Sequence, residues 1–245
     1  MQTDKTRGRI LGLDLARTAA LIGMACFHFG FDLESFGHIA PGTMTTGFWS
    51  VFARLVAGSF LLIAGIGIYL AHGQAIRWHS FLKRLAMIVA SAALVTAATY
   101  FAMGPYFVFF GILHSIALSS LIGLLFLRLP APLTLLIALL VALAPSYLRS
   151  TTFDAPWLLW TGLSVRPVYS VDFEPIFPWL APVLAGIALA RIATHAGLRG
   201  RLHTPDPGAI LRVLAWPGRH SLIIYLIHQP ILIGIVAGLT RLGWL

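Results

Sequence analysis

Cysteine is almost absent from this chain: Cys26 is the only one among 245 residues, so no intramolecular disulfide can staple it and thiol content says nothing about redox compartment. Charge is scarce as well, at 10% of residues, and acids are scarcer than bases, with 8 Asp and Glu against 17 Lys and Arg. The charged surface that a soluble domain keeps, about a quarter of its residues, is missing. No GxGxxG or Walker pattern follows a strand-like run, which removes the usual phosphate loops. There is no HxxH pair, no internal repeat and no low-complexity tract.

What is present is apolar. Hydrophobic residues make up 58% of the chain, an excess that needs a lipid solvent. A spanning helix takes roughly 20 residues, so this length predicts a polytopic all-α bundle of about seven transmembrane helices with no room for a separate soluble domain. Residues 1–245 are expected to form one membrane domain. The apolar segments run from Ile10 to Phe31, Phe48 to Ala71, Phe81 to Met103, Phe107 to Leu127, Ala131 to Leu148, Ile176 to Ile192 and His220 to Leu239. Met1 to Arg9 before the first of them imitates a secretory signal. Asp14 and Arg17 interrupt that run, and Gly23 stands where a lipoprotein signal wants Leu, so the segment is kept as the first span.

The net charge of +9 would suggest nucleic acid in a soluble protein, but here it follows topology. With a cytoplasmic N-terminus, twelve basic residues fall inside: Lys5, Arg7, Arg9, Arg77, Lys83, Arg84, Arg128, Arg191, Arg199, Arg201, Arg212 and Arg219. Three, Arg149, Arg166 and Arg241, fall outside, and Arg17 and Arg54 lie within spans. The imbalance predicts N-terminus in and C-terminus out, with no nucleic-acid partner. A polar connector, Thr194 to Arg219, is then internal; two loops, Asp32 to Phe48 and the aromatic Arg149 to Pro175, are external.

Ionisable groups in a bilayer cost free energy, so those present are functional candidates. His28 falls near the outer end of the first span, with Asp32, Glu34 and His38 following in the loop. His114 is seven residues into the fourth segment, hence roughly 10 Å below the outer face. Asp172 and Glu174 precede the sixth segment on the same side, and His228 sits in the middle of the seventh. Imidazoles with neighbouring carboxylates suit acyl or proton transfer. The plain alternative is that His28, His114 and His228 tie helices together, that His38 is solvated, and that Asp172 and Glu174 begin a helix. Asp14 and Arg17, three apart, are placed to pair, or Arg17 to meet a phosphate; Arg54 is placed to pair with Asp32 or Glu34. Gly65 and Gly67 permit a close helix contact.

The stretch GLDLARTAALIGMACFHFGFDLESFGH, then SFLLIAGIGIYLA, FGILHSIAL, DFEPIFPWLAPVLAGIALA and GRHSLIIYLIHQPIL, resembles the catalytic domain of heparan-alpha-glucosaminide N-acetyltransferase and its short bacterial relatives. The resemblance spans nearly the whole chain in order. It implies a single transmembrane acyltransferase-like domain that takes an acetyl or similar group from cytosolic acetyl-CoA and gives it to an amine or hydroxyl of an extracytoplasmic glycan or amino sugar. It implies an integral protein of a bacterial inner membrane. It marks His38 as the base or transient acyl acceptor, with His28, Asp32, His114 and Asp172 orienting it or the acceptor. It implies a coenzyme A site at the inner mouth drawing on Arg17, Lys83, Arg84 or Arg128, with His228 contributing to binding or stability. The chain lacks the large luminal portion of the lysosomal enzyme, which makes heparan sulfate itself an unsuitable acceptor.

Two rivals stand beside this reading. One is a proton-coupled transporter with a relay of His28, His114 and His228, against which the absence of an inverted repeat counts. The other is a haem or metal binder, which no paired histidine spacing supports. The sequence leaves oligomeric state open, a homo-oligomer included.

Overall fold

The computed structural model describes residues 10–198 and 208–245. Lys5, Arg7, Arg9, Arg199, Arg201, Pro205, Asp206 and Pro207 lie outside the described residues. All regular structure among the described residues is helical: α1 (Leu11–Ser35), α2 (Gly47–His72), α3 (Trp78–Met103), α4 (Ile112–Phe126), α5 (Ala131–Tyr147), α6 (Ile176–His195), α7 (Ala209–Leu214), α8 (Trp216–Arg219) and α9 (Ser221–Arg241). Each of the seven expected apolar segments holds a helix. Among the described residues, four stretches are long and apolar enough to cross a membrane: α2, Trp78–Tyr106, α6 and α9. The apolar helices α4 and α5 have only 15 and 17 residues, about 23–26 Å against a hydrocarbon core of about 30 Å. Helix α1 has 25 residues but carries Asp14, Arg17, Asp32 and Glu34.

Chain contacts divide the molecule into two compact units, one of Met1–Phe60 with Gly197–Leu245, the other of Leu61–Ala196. In the first, α1 packs against α8 and α9. The joint with α8 is a backbone approach: a Cβ on Gly218 would overlap the Asp14 carbonyl, and only glycine fits. The Thr18 hydroxyl lies 2.8 Å from Leu214 O and accepts the Gly218 N–H at 2.9 Å. One small side chain thus satisfies the backbone that this approach would strand. On α9, Ile223, Ile227, Ile231 and Ile235 are all exposed. Spaced four apart, they form an apolar stripe that suits lipid and not water.

In the second unit, α6 packs against α4 and α5, and α3 against α4, around Leu61, Ile68, Val183, Leu184 and Ile187. The close contact expected at Gly65 is present: a Cβ there would overlap Val183 O, and one on Gly186 would overlap Leu62 O. The two glycines let backbones meet where any side chain would hold them apart.

The fourth segment departs from expectation. Helix α4 starts at Ile112 and not near Phe107, so His114 is its third residue, in the first turn and not 10 Å along. The apolar run Phe107–Phe110 avoids helix because its backbone groups find other partners. Val108 O accepts from Thr96 Oγ1 at 2.7 Å, Val108 N–H donates to Thr99 Oγ1 at 3.0 Å, and Phe110 O accepts from Glu174 N–H at 3.0 Å. The aromatic loop of residues 149–175 is organised by Asp154, whose Oδ1 accepts from the Ser164 hydroxyl at 2.7 Å and the Val165 and Arg166 N–H groups at 3.0 and 3.3 Å. The Ser164 bond foremost, then those amides and the Arg166 guanidinium, hold the Asp154 carboxyl below its ordinary range despite partial desolvation.

Candidate active site

On α1, His28 and Asp32 are four residues apart and share a face. Across from them α9 presents His228 and Gln229. The rings of His28 and His228 lie 5.0 Å apart, edge to face, and Gln229 Nε2 donates to Asp32 Oδ1 at 2.8 Å. Asp32 is only 3% exposed. The expected loop position of Asp32 and Glu34 is therefore replaced by a helix that continues to Ser35, with Asp32 held inward by the amide.

Three buried polar atoms here have no hydrogen-bond partner: Asp32 Oδ2, Gln229 Oε1 and His228 Nε2. His228 Nδ1 bonds the Tyr225 carbonyl at 2.5 Å, so Nδ1 carries the proton and Nε2 holds a bare lone pair. All three orphan atoms are hydrogen-bond acceptors. Left dry and unmet, each costs about 1–3 kcal/mol; a group carrying N–H or O–H donors would recover that cost. Three such atoms are brought together on two facing helices, α1 and α9.

Neighbouring polar residues are engaged otherwise. Glu34 accepts the Gly42 and Met44 N–H groups at 2.8 and 2.7 Å, pinning the loop after α1. Arg54 is exposed and pairs with neither Asp32 nor Glu34. His38 Nε2 lies 2.7 Å from Thr240 Oγ1, while that hydroxyl donates its proton to Val236 O at 2.8 Å. Thr240 must therefore accept from His38, fixing His38 as the Nε2–H tautomer. Thr240 is eleven residues beyond Gln229 on α9, about 16 Å along the axis. The structure does not bring His38 to Asp32 or His28.

His114 and Asp172 belong to the other unit. His114 Nδ1 accepts the Gly111 N–H at 3.2 Å and Nε2 lies 3.3 Å from Thr96 Oγ1, whose own proton goes to Val108 O. Both ring nitrogens are thus committed. Asp172 Oδ2 accepts the Ile112 N–H at 3.1 Å, capping α4 from a distance and complementing its N-terminal dipole. Together they shape the start of α4.

Of the basic candidates, Arg17 bonds Asp14 at 2.9 Å and Arg219 lies 3.4 Å from the same carboxylate. The expected Asp14–Arg17 pair is there, widened by Arg219. Lys83, Arg84 and Arg128 are exposed, at the start of α3 and just past α4, which antiparallel packing puts at one end of their unit. His228, expected with coenzyme A, stands instead against His28. Gln229 is the residue that sequence reasoning passed over; its only signal was an amide in an apolar helix beside a histidine. No group of three or more metal-type ligands occurs among the described residues.

A family model described as heparan-alpha-glucosaminide N-acetyltransferase, catalytic, matches residues 9–230. The chain belongs to this family. The match takes in α1 and reaches α9 as far as Pro230, so His28, Asp32, His228 and Gln229 all lie within the acetyltransferase region, and Thr240 does not. No curated protein and no solved structure matches the chain. Family membership with span-capable helices makes it a membrane protein of acyltransferase type.

Proposed function

We propose that this protein moves an acetyl or similar acyl group from cytosolic acyl-CoA to an amine or hydroxyl of an extracytoplasmic sugar, within a bacterial inner membrane. The observation that carries the reading is the cluster of Asp32, Gln229 and His228, with His28 beside it: buried acceptor atoms waiting for a donor-bearing nucleophile, inside the region that matches an acetyltransferase family. Acyl transfer needs such a site, because the nucleophile must lose a proton as it attacks and water must be kept from the thioester.

Coenzyme A needs cations for its phosphates. Arg17 shares Asp14 with Arg219, so the exposed Lys83 and Arg128 are the better candidates. His38 stands at the outer rim, where the acceptor enters, and fastens the loop after α1 to the end of α9. His114 and Asp172 support the start of α4. With an inner N-terminus and outer C-terminus, the inner and outer ends receive donor and acceptor respectively.

The half-buried His28–His228 pair beside Asp32 also suits proton translocation, which keeps a proton-coupled transporter as the second reading. One experiment separates them. Purified protein in nanodiscs, given labelled acetyl-CoA and a panel of amino sugars, should bind acetyl-CoA and yield acetylated sugar. No binding at millimolar acetyl-CoA, with proton uptake by proteoliposomes, favours the transporter.

A further inference from the structure

Two tautomers divide the work among the histidines. His38 and His114 each hold a proton on Nε2 and spend it on a threonine hydroxyl. His228 is the reverse case: its proton is on Nδ1, held by the Tyr225 carbonyl, and its Nε2 is buried with nothing to accept from. We propose that His228 Nε2 takes the proton from the acceptor's nucleophilic N–H or O–H, and that Gln229, acting through Asp32, positions that nucleophile. The proposal rests on the acyltransferase reading and assigns its chemistry within α9.

The two helices pair these residues level by level. His28 and Asp32 are one helical turn apart, about 6 Å. His228 faces the first and Gln229 the second. Gln229 Nε2 donates to Asp32 Oδ1, which leaves Gln229 Oε1 and Asp32 Oδ2 as buried acceptors beside it. Among the described residues, the titratable groups against His228 are His28 from α1 and Tyr225 from its own helix, with Asp32 held by the neighbouring Gln229. From α8, Arg219 is paired with Asp14.

In the step itself the nucleophile's lone pair forms the bond to the acyl carbon, and the carbon–sulfur bond of the thioester breaks with its electron pair going to sulfur. The nucleophile's proton goes to His228 Nε2. The imidazolium returns a proton to the coenzyme A sulfur, leaving free thiol and a neutral ring. No further reactant is needed.

The test uses the full chain in nanodiscs, with acetyl-CoA as donor and methyl glucosaminide as acceptor. His228→Gln keeps a polar side chain of similar length but supplies no base; His228→Ala opens space for added imidazole. A general base contributes about 10²–10⁴-fold, so both variants should lose at least about 100-fold in kcat while acetyl-CoA affinity stays within about threefold. Imidazole should restore part of the rate to His228→Ala, along a pH profile set by the added base. Gln229→Leu should raise the KM for the acceptor about tenfold or more and leave the pH profile of kcat unchanged. A folded His228→Gln protein with near-normal kcat, or Gln229→Leu with unchanged KM, overturns the proposal and leaves the acyltransferase reading standing. Wild type that binds acetyl-CoA and transfers to no acceptor overturns the reading beneath it.

Discussion

Replacing Asp14 with Asn separates a structural charge cluster from a ligand site. Asp14 is 1% exposed, and its carboxylate faces Arg17 at 2.9 Å and Arg219 at 3.4 Å, whose side chains are 23% and 32% exposed. Breaking a fully buried pair costs about 3–5 kcal/mol, because the surviving charge is stranded. Here the guanidinium groups keep access to solvent, which screens and partly rehydrates them, so about 2 kcal/mol is the better figure. For a chain of this size each kcal/mol moves the melting temperature by about 2–4 °C, giving a drop of about 4–8 °C. The assay is thermal melting in nanodiscs, paired with calorimetry of acetyl-CoA binding. The expected result is the lower melting temperature with coenzyme A affinity within about threefold of wild type. An unchanged melting temperature with lost affinity would refute the reasoning and assign Arg17 to the phosphates.

Three further perturbations test other parts of the account. Gly186→Ala forces a methyl into the Leu62 carbonyl and should cost about 1–3 kcal/mol in melting experiments; unchanged stability would show that α2 and α6 do not approach so closely. His38→Ala removes the Thr240 bond, which should cost about 1 kcal/mol and raise the acceptor KM while kcat falls less than tenfold; complete loss of kcat in a folded protein would put His38 in the reaction, as the family resemblance implies. Asp154 has a depressed carboxyl pKa in the folded loop, so its contribution is present above the ordinary pKa of about 4 and is lost as pH falls through the lower folded value. Fluorescence of Trp157 and Trp160 should change in that acid window and Asp154→Asn should abolish the change; an identical titration in the variant would assign it elsewhere.

Much of the architecture was legible because hydrophobic length is a strong signal. The cores of all seven apolar segments became helices, and Gly65 met a neighbouring backbone as small residues in apolar helices do. The failures came where polar groups decide conformation. Phe107–Phe110 looks like the first turn of a span, yet Thr96, Thr99 and Glu174 take up its backbone groups from distant positions, and hydropathy cannot register such partners. Asp32, Glu34 and Ser35 look like loop, yet Gln229 draws Asp32 inward and α1 continues through them. In the site, the sequence pointed to His28 and Asp32 by residue type and spacing. Nearness to one membrane face grouped them with His114 and Asp172, and the family resemblance marked His38; neither signal registers which ring nitrogens are bonded. Gln229 escaped because an amide carries no charge to mark it, although its two ends decide which oxygen of Asp32 is left open.

The central claim is that the facing residues of α1 and α9 carry out acyl transfer across a membrane. Proteoliposomes with the N-terminus facing outward, given acetyl-CoA labelled in the acetyl group outside and methyl glucosaminide sealed inside, test it most directly. The account predicts labelled N-acetyl sugar inside, formed at a rate that Asp32→Asn lowers at least about tenfold while acetyl-CoA binding persists. Label that never reaches the enclosed sugar, or that reaches it equally well with Asp32→Asn, would contradict it.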